Sequence, residues 1–548
     1  MALLLTTDTP PAPDVRIAPD TGGPFAAAEP ATREARAAAG MYGMCSIEDF
    51  PGTITDLQYT HEDVQGFYDF VTQFTVPNYW LKDSAVQAWV YDQAYDNWQD
   101  QYGFDSACVV YHSGHGDMDA GGVYSAPMGG SWDNRDWIHS SEMRLGDNHA
   151  RYIFFSTCLS LRVHDGMTPI TTWHPANGGF RMLFGYETTS VDSTDYGANF
   201  WEEWGKNKTF CASWLDASWR IDRQQTPSVM ACGTTPADAT ARLDTERQFE
   251  RAAAPTTGYA WRWRDAEARG RSRAANRTLP TRPATVLLTA PTAGAGRAAE
   301  LAARFGISGR PAPARATPGG PVLVGAGAAR LVVARDGSYE VRLAESGQPV
   351  SAPDPATARS TAEQAVRNFG LADEVDLVYD AVHFEHTASA STAGDGTVNE
   401  PRVSHAMVSF RQVVNGLPVT GDGRGEVRVQ VDGTDTVTSI TDTSRPITDL
   451  VDRPGGTVAP PDGTAPRSEP VVSQEQVEPL LDRAVQRTLQ RLAAGGRVPT
   501  FARTVPGSTE VGYQFGPRSA TVVARRTVEV DCGAGLAKRY IVRVPIIE

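Results

Sequence analysis

The chain has 548 residues, with 65 Asp plus Glu against 50 Lys plus Arg for a formal net charge of −15; hydrophobic residues make up 41% and charged residues 21%. That length exceeds one core and predicts about two to four folding units, and the balance is that of a globular chain rather than a disordered or membrane one. No apolar run approaches the ~20 residues that span a bilayer, and a net acidic chain lacks the clustered cations that phosphate contacts need, so neither membrane nor nucleic acid is expected as a partner.

Residues 1 to 40 are rich in Ala, Pro, Thr and Gly without periodicity and are expected to form a disordered lead-in. MALLLTTDTPPAPD carries four apolar residues in a row after Met1 and no cation before Arg16. It makes a poor secretory signal, so a cytoplasmic location is the default expectation, with secretion left open. Six cysteines, at 45, 108, 158, 211, 232 and 532, contain no CxxC pair and no disulfide framework, which fits reduced thiols.

Structure is predicted from Met41. YGMCSIEDF reads as a first strand, and THEDVQGFYDFV sets Val64, Phe67, Tyr68 and Val71 on one helical stripe behind a Thr60 cap. AVQAWVY reads as a second strand, SACVVYH as a third, ARYIFFSTC as a fourth and FRMLFGYETT as a fifth. A helix, YGANFWEEWGK, and a last strand, PSVMACG, follow. CVVY and YIFF are continuous rather than alternating, as strands are when helices cover both faces. This predicts an α/β three-layer sandwich with a mainly parallel sheet over 41 to 235, and ligand sites in such sheets gather at the strands' carboxyl ends.

Residues 236 to 320 read as a helix, ATARLDTERQFERAAA, and an Arg-rich linker (PTRPAT, GRPAPARATPGGP) that is the natural place to look for self-cleavage. A weak repeat at an offset of 64 relates Ala298, Leu301 and Phe305 to Ala362, Ala365 and Phe369. Each such helix precedes strand-like text, and a third helix, SQEQVEPLLDRAVQRTLQRLAAGG, precedes SATVVARRTVEVDCG and KRYIVRVPI. Residues 321 to 548 are thus predicted to be α+β helix-plus-antiparallel-sheet units, with hairpins at Asp336-Gly337 and Asp432-Gly433.

Two strand ends carry the chemistry-bearing residues. His115 lies just past CVVY and Cys158 just past YIFF, 43 residues later. If these strands are parallel neighbours, thiol and imidazole emerge at one edge. A neutral thiol is mostly inert at neutral pH, and an imidazole can take its proton and later protonate a leaving amine. The Gly116 N–H, with that of Cys158, could donate to an oxyanion, a contact worth roughly 3 kcal/mol.

Ser113-Gly114-His115-Gly116 after one apolar strand, and Ser156-Thr157-Cys158 after another, resemble the caspase-fold cysteine peptidases (caspases, legumains, clostripains, gingipains, separases) over residues ~41 to 235. The resemblance implies Cys158 as nucleophile, His115 as general base, Gly116 as oxyanion donor, a peptide or protein substrate and no cofactor. Thr157 stands where Ala is commoner, no Gln-Ala-Cys-Arg-Gly surrounds Cys158, and no local sequence fixes a third member, for which Glu48 and Asp49 after the first strand are the candidates.

Residues 41 to 235 hold 25 acidic against 10 basic residues, and the remainder 40 against 40. Glu187, Asp192 and Asp195 follow the fifth strand and are expected to bind a basic substrate side chain; helix capping is the competing role for Asp192 and Asp195. VSFRQVVNGLPVTGDGRGEVRVQVDG resembles peptidase propeptide and PepSY-like modules over about 357 to 449, which implies an inhibitory, chaperone or substrate-docking contact with the site. Two other readings compete: a catalytically inactive caspase-fold binding scaffold, and a zinc hydrolase using His112, His115 and Cys158 with one of His139, His149, His164 or His174.

Overall fold

The computed structural model describes residues 40–265, 285–289, 294–313, 321–326, 329–343, 353–393, 398–421, 423–451, 474–495, 499 and 501–546. The lead-in, Gly40 apart, and much of the linker text between 266 and 320 lie outside the described residues. The protein is mixed α/β.

Its centre is a run of parallel strands, β1 (Gly40–Ser46), β2 (Tyr79–Lys82), β3 (Ala107–Ser113), β4 (Tyr152–Ser156) and β5 (Met182–Tyr186), in spatial order β2-β1-β3-β4-β5. β6 (Pro227–Gly233) then pairs antiparallel with β5, and β7 (Gly258–Arg264) antiparallel with β6. Every residue of β3, β4 and β5 is buried because alternate side chains enter two different cores. On one face Tyr111, Phe154 and Phe184 pack under the helices α1 (Thr60–Val71), α2 (Tyr196–Gly205), α3 (Phe210–Ile221) and α4 (Pro236–Thr245), with Phe154 and Phe184 stacked at 4.1 Å. On the other, Val110, Ile153 and Phe155 meet Tyr91, Phe104, Tyr124 and Trp173.

Three local expectations change. AVQAWVY forms a 3-10 turn at Ala88–Val90 rather than a strand; Asp92 then accepts from the Ala94 N–H at 2.8 Å and turns the chain, and the second strand is YWLK. Thr60 is the first helical residue of α1 and makes no capping bond. α4 ends at Thr245, because Glu246 is drawn back onto Arg181 and Arg242.

The sheet does not stop at β7. That strand pairs antiparallel with β8 (Asp376–Ser391), and the ladder continues through β9 (Val398–Val414), β10 (Glu426–Val431) and β11 (Val437–Asp442) to Tyr339–Arg342 and three further strands. Taken whole, this 16-stranded sheet is mainly antiparallel; its parallel pairing is confined to β1–β5, within the span where a mainly parallel sheet is expected, and β6 adds an antiparallel partner there. The repeated helices, α5 (Ala295–Arg304) and α6 (Pro355–Asn368), bury Ala298, Leu301, Ala362 and Ala365 in one small core, where Phe305 meets Phe369 at 4.9 Å.

A separate six-stranded sheet is built around β12 (Glu510–Phe515), β13 (Ser519–Gly533) and β14 (Leu536–Pro545), with α7 (Gln474–Leu492) against it. β13 and β14 are joined through Ala534 and Gly535, at φ 54° and 84°, the positive values a tight type I′ hairpin turn requires. No helix among the described residues is long and apolar enough to cross a membrane.

Candidate functional site

β3 and β4 are parallel neighbours with Ser113 opposite Ser156. His115 and Cys158 each lie two residues past that pair, at the same carboxyl edge. Gly116, the residue after His115, comes close to the Cys158 backbone there: a Cβ added to it would stand 2.8 Å from the Cys158 carbonyl and 2.8 Å from the Tyr124 ring. Only glycine permits the approach. Leu159, directly after Cys158, holds a φ of 53°, uncommon for a branched side chain, so the chain turns sharply at the thiol.

His115 Nε2 lies 2.9 Å from the Thr55 carbonyl oxygen. A carbonyl only accepts, so Nε2 carries the proton and Nδ1 is left as the acceptor of a neutral ring. Nδ1 is buried and has no hydrogen-bond partner. Phe50 packs on the ring at 4.8 Å. Burial, then the nearby Lys538 ammonium, push the imidazole down to about 3, although the Thr55 bond opposes them. His112 is likewise lowered to about 3 by burial and Lys538, with Nδ1 2.7 Å from the Tyr91 hydroxyl.

Cys158 is 1% exposed, and its sulfur is held on several sides. It accepts from the Ser190 N–H at 3.3 Å, lies 3.5 Å from the Ser190 hydroxyl and donates to the Ala537 carbonyl at 3.2 Å. Ala537 belongs to β14, 379 residues further along the chain. The next side chain, Lys538, is buried and extends its ammonium to the Ser190 hydroxyl at 3.1 Å and the Gly114 carbonyl at 3.4 Å. Arg539 continues the contact as a β-bridge: its N–H donates to the Ser190 carbonyl at 3.1 Å, and its carbonyl accepts from the Asp192 N–H at 2.8 Å.

The three acidic residues separate. Asp192 is buried beside the site, accepts from the Gln58 N–H at 2.8 Å, and is raised to about 6 by burial, an effect that the Lys538 charge partly offsets. Asp195 is exposed at the start of α2 without a capping bond and lines, with Asp192, Gln58 and Tyr540, a cavity of about 590 Å3. Glu187 faces elsewhere: it accepts from the Val163 and His164 N–H groups and pairs with Arg162 at 3.5 Å, so it ties down the loop after Cys158.

Glu48 accepts from the His61 N–H at 3.1 Å and is not on His115. The group that orients His115 is a main-chain carbonyl, which no residue type advertises. Ser190 and Lys538 also escape a sequence reading. Ser190 lacks a motif, whereas Lys538 carries one signal: it stands in the inward row Leu536, Lys538, Tyr540, Val542, Val544, where alternation calls for an apolar residue.

Among the described residues, the groups of three or more ligand atoms within 4.8 Å are Asp96, Asp100, Asp147 and Glu203, Asp216, Glu340. Neither contains His112, His115 or Cys158, so the geometry gives the zinc reading no support. The second group already surrounds a cation, the Lys208 ammonium.

Residues 44–252 match a family described as a domain of unknown function, DUF6345. The match takes in His115, Cys158, Ser190 and Asp192 and ends before β7. No curated protein matches the chain.

Proposed function

We propose that the chain is a cysteine endopeptidase whose first 200 or so structured residues form a caspase-like unit, with Cys158 as nucleophile and His115 as general base. The observation that carries this reading is the Thr55 carbonyl on His115 Nε2, which leaves Nδ1 as the proton acceptor at the edge where the thiol stands. A peptide segment lying against the thiol through Ala537 supports the substrate class, because the groove holds main chain in an extended form.

In the reaction, the thiol proton passes to His115 Nδ1 as sulfur adds to the scissile carbonyl carbon. The oxyanion faces the N–H groups of Gly116 and Cys158. Collapse breaks the C–N bond, and the amine leaves with the proton from Nδ1. Water then attacks the thioester with His115 again as base, releasing the acid and restoring the thiol. Asp192 favours a basic substrate side chain, and the C-terminal region acts on the site as an inhibitory or docking module.

The burial of both reacting groups favours one second reading, a fold that binds a partner and does no chemistry. Incubation with a peptide library, read by mass spectrometry after Cys158 has been made accessible, decides between them. Cleavage should vanish in Cys158→Ala, fall about 10²–10⁴-fold in His115→Ala, stop on thiol alkylation and survive chelation. No cleavage by accessible wild-type Cys158, or cleavage that survives Cys158→Ala, would sink the peptidase.

A further inference from the structure

Lys538, at the centre of the site, answers to no motif. A buried ammonium is costly unless it finds acceptors, and here it meets the Ser190 hydroxyl and the Gly114 carbonyl. Its place in the strand argues against an ordinary surface lysine. β14 alternates, and Lys538 falls in the inward row between Leu536 and Tyr540, both buried. A methionine or leucine there would satisfy packing alone, so the ammonium answers to something in the receiving wall.

Main chain on either side of Lys538 is held as a bound peptide is held. Arg539 exchanges two hydrogen bonds with Ser190 and Asp192, and Ala537 caps the thiol. The thiol meets the oxygen of the Ala537 carbonyl, whereas attack requires the carbon to be presented with its oxygen on the oxyanion donors. The segment therefore covers the nucleophile without offering a bond to it.

We propose that the Gly114 carbonyl and the Ser190 hydroxyl form a receptor for a lysine side chain beside Cys158, and that the chain fills it with its own Lys538. Lysine-containing peptides are then the class of ligand that the site takes, and the intact chain is latent until the β13–β14 hairpin withdraws. This rests on the peptidase reading for its catalytic meaning, though not for its binding claim.

The test uses the full chain as wild type, Lys538→Ala and the volume-conserving Lys538→Met. The first readout is the iodoacetamide alkylation rate at each cysteine, mapped by mass spectrometry. Alkylation of Cys158 should rise at least tenfold in Lys538→Ala while Cys45, Cys108, Cys211 and Cys232, which lie outside the hairpin, stay slow; a Cys158 rate equal to wild type overturns the proposal. If Lys538→Ala unfolds, all six react together, and Lys538→Met, which keeps the packing and loses the charge, carries the same comparison. The second readout is protection of Cys158 in the variant by the peptide Leu-Ala-Lys-Arg. It should slow alkylation at concentrations where Leu-Ala-Met-Arg and Leu-Ala-Glu-Arg do not, and equal protection by all three overturns the lysine receptor. Neither readout needs turnover. An accessible, lysine-protected Cys158 that hydrolyses nothing removes the peptidase alone, and hydrolysis with unchanged alkylation removes the receptor alone.

Discussion

Single residues bear opposite relations to charge around this sheet. Asp63, in the first turn of α1, is buried and accepts from the Tyr111 and Ser113 hydroxyls, each at 2.8 Å, and from the Gly197 N–H at 3.0 Å. Burial outweighs those bonds and raises the carboxyl to about 6. Between the ordinary carboxylate value and that one, the folded chain keeps a proton which the unfolded chain releases, so this group's contribution to stability falls as pH rises from about 4 to about 6 and stays low above. Asp63→Asn should flatten that part of the profile relative to wild type, measured as urea midpoints at pH 4, 5, 6 and 7; parallel profiles would show that Asp63 is ionised throughout. That Cys158 and His115 share one sheet edge was legible in sequence because each follows a continuous apolar run. Their partners were not, since the Thr55 carbonyl is main chain and Ala537 and Lys538 arrive from the far end of the chain.

Between elements, the ammonium of Lys208 does the joining. It meets Glu203 on α2 and Glu340 on the strand Tyr339–Arg342, each at 2.7 Å, and Asp216 on α3, which also receives Arg264 from β7 and Arg428 from β10. Attraction from these carboxylates, Asp216 first, outweighs the burial that would lower Lys208 and holds it well above the usual lysine value. Removing one partner of such a buried cluster leaves uncompensated charge, so Lys208→Met should lose about 3–5 kcal/mol in chemical denaturation. A loss under 1 kcal/mol would mean that water screens the cluster. Sequence text announced most of these elements through periodicity. It misplaced the second strand because AVQAWVY and YWLK both carry buried aromatics, and only the Asp92 turn tells them apart. It also passed over β7, whose YAWRW alternates as a strand should, because the surrounding Arg-rich text resembles linker.

For the whole molecule, β7 is the hinge of the architecture: it closes the first unit on one side and pairs with β8 on the other. A fragment of residues 40 to 265 would end with β7 as an open aromatic edge and with Arg262 and Arg264 deprived of Glu385. In size-exclusion chromatography it should run as oligomer or aggregate at concentrations where the full chain keeps its own elution volume; a well-behaved monomer would show that the edge protects itself. No local pattern reveals this continuity, because pairing between strands more than a hundred residues apart leaves no period in the text.

The hairpin that covers Cys158 is hung on the six-stranded sheet, not on the 16-stranded one. Its grip on the first unit includes the Arg539 bridge, the Lys538 contacts and a bond from the Thr55 N–H to the Cys532 carbonyl, 2.7 Å long. Thr55 is also the residue whose carbonyl steers His115. The hairpin and the imidazole are thus moored to one residue of the first unit, Thr55 by its N–H to the one and by its carbonyl to the other, so a backbone shift there displaces both together.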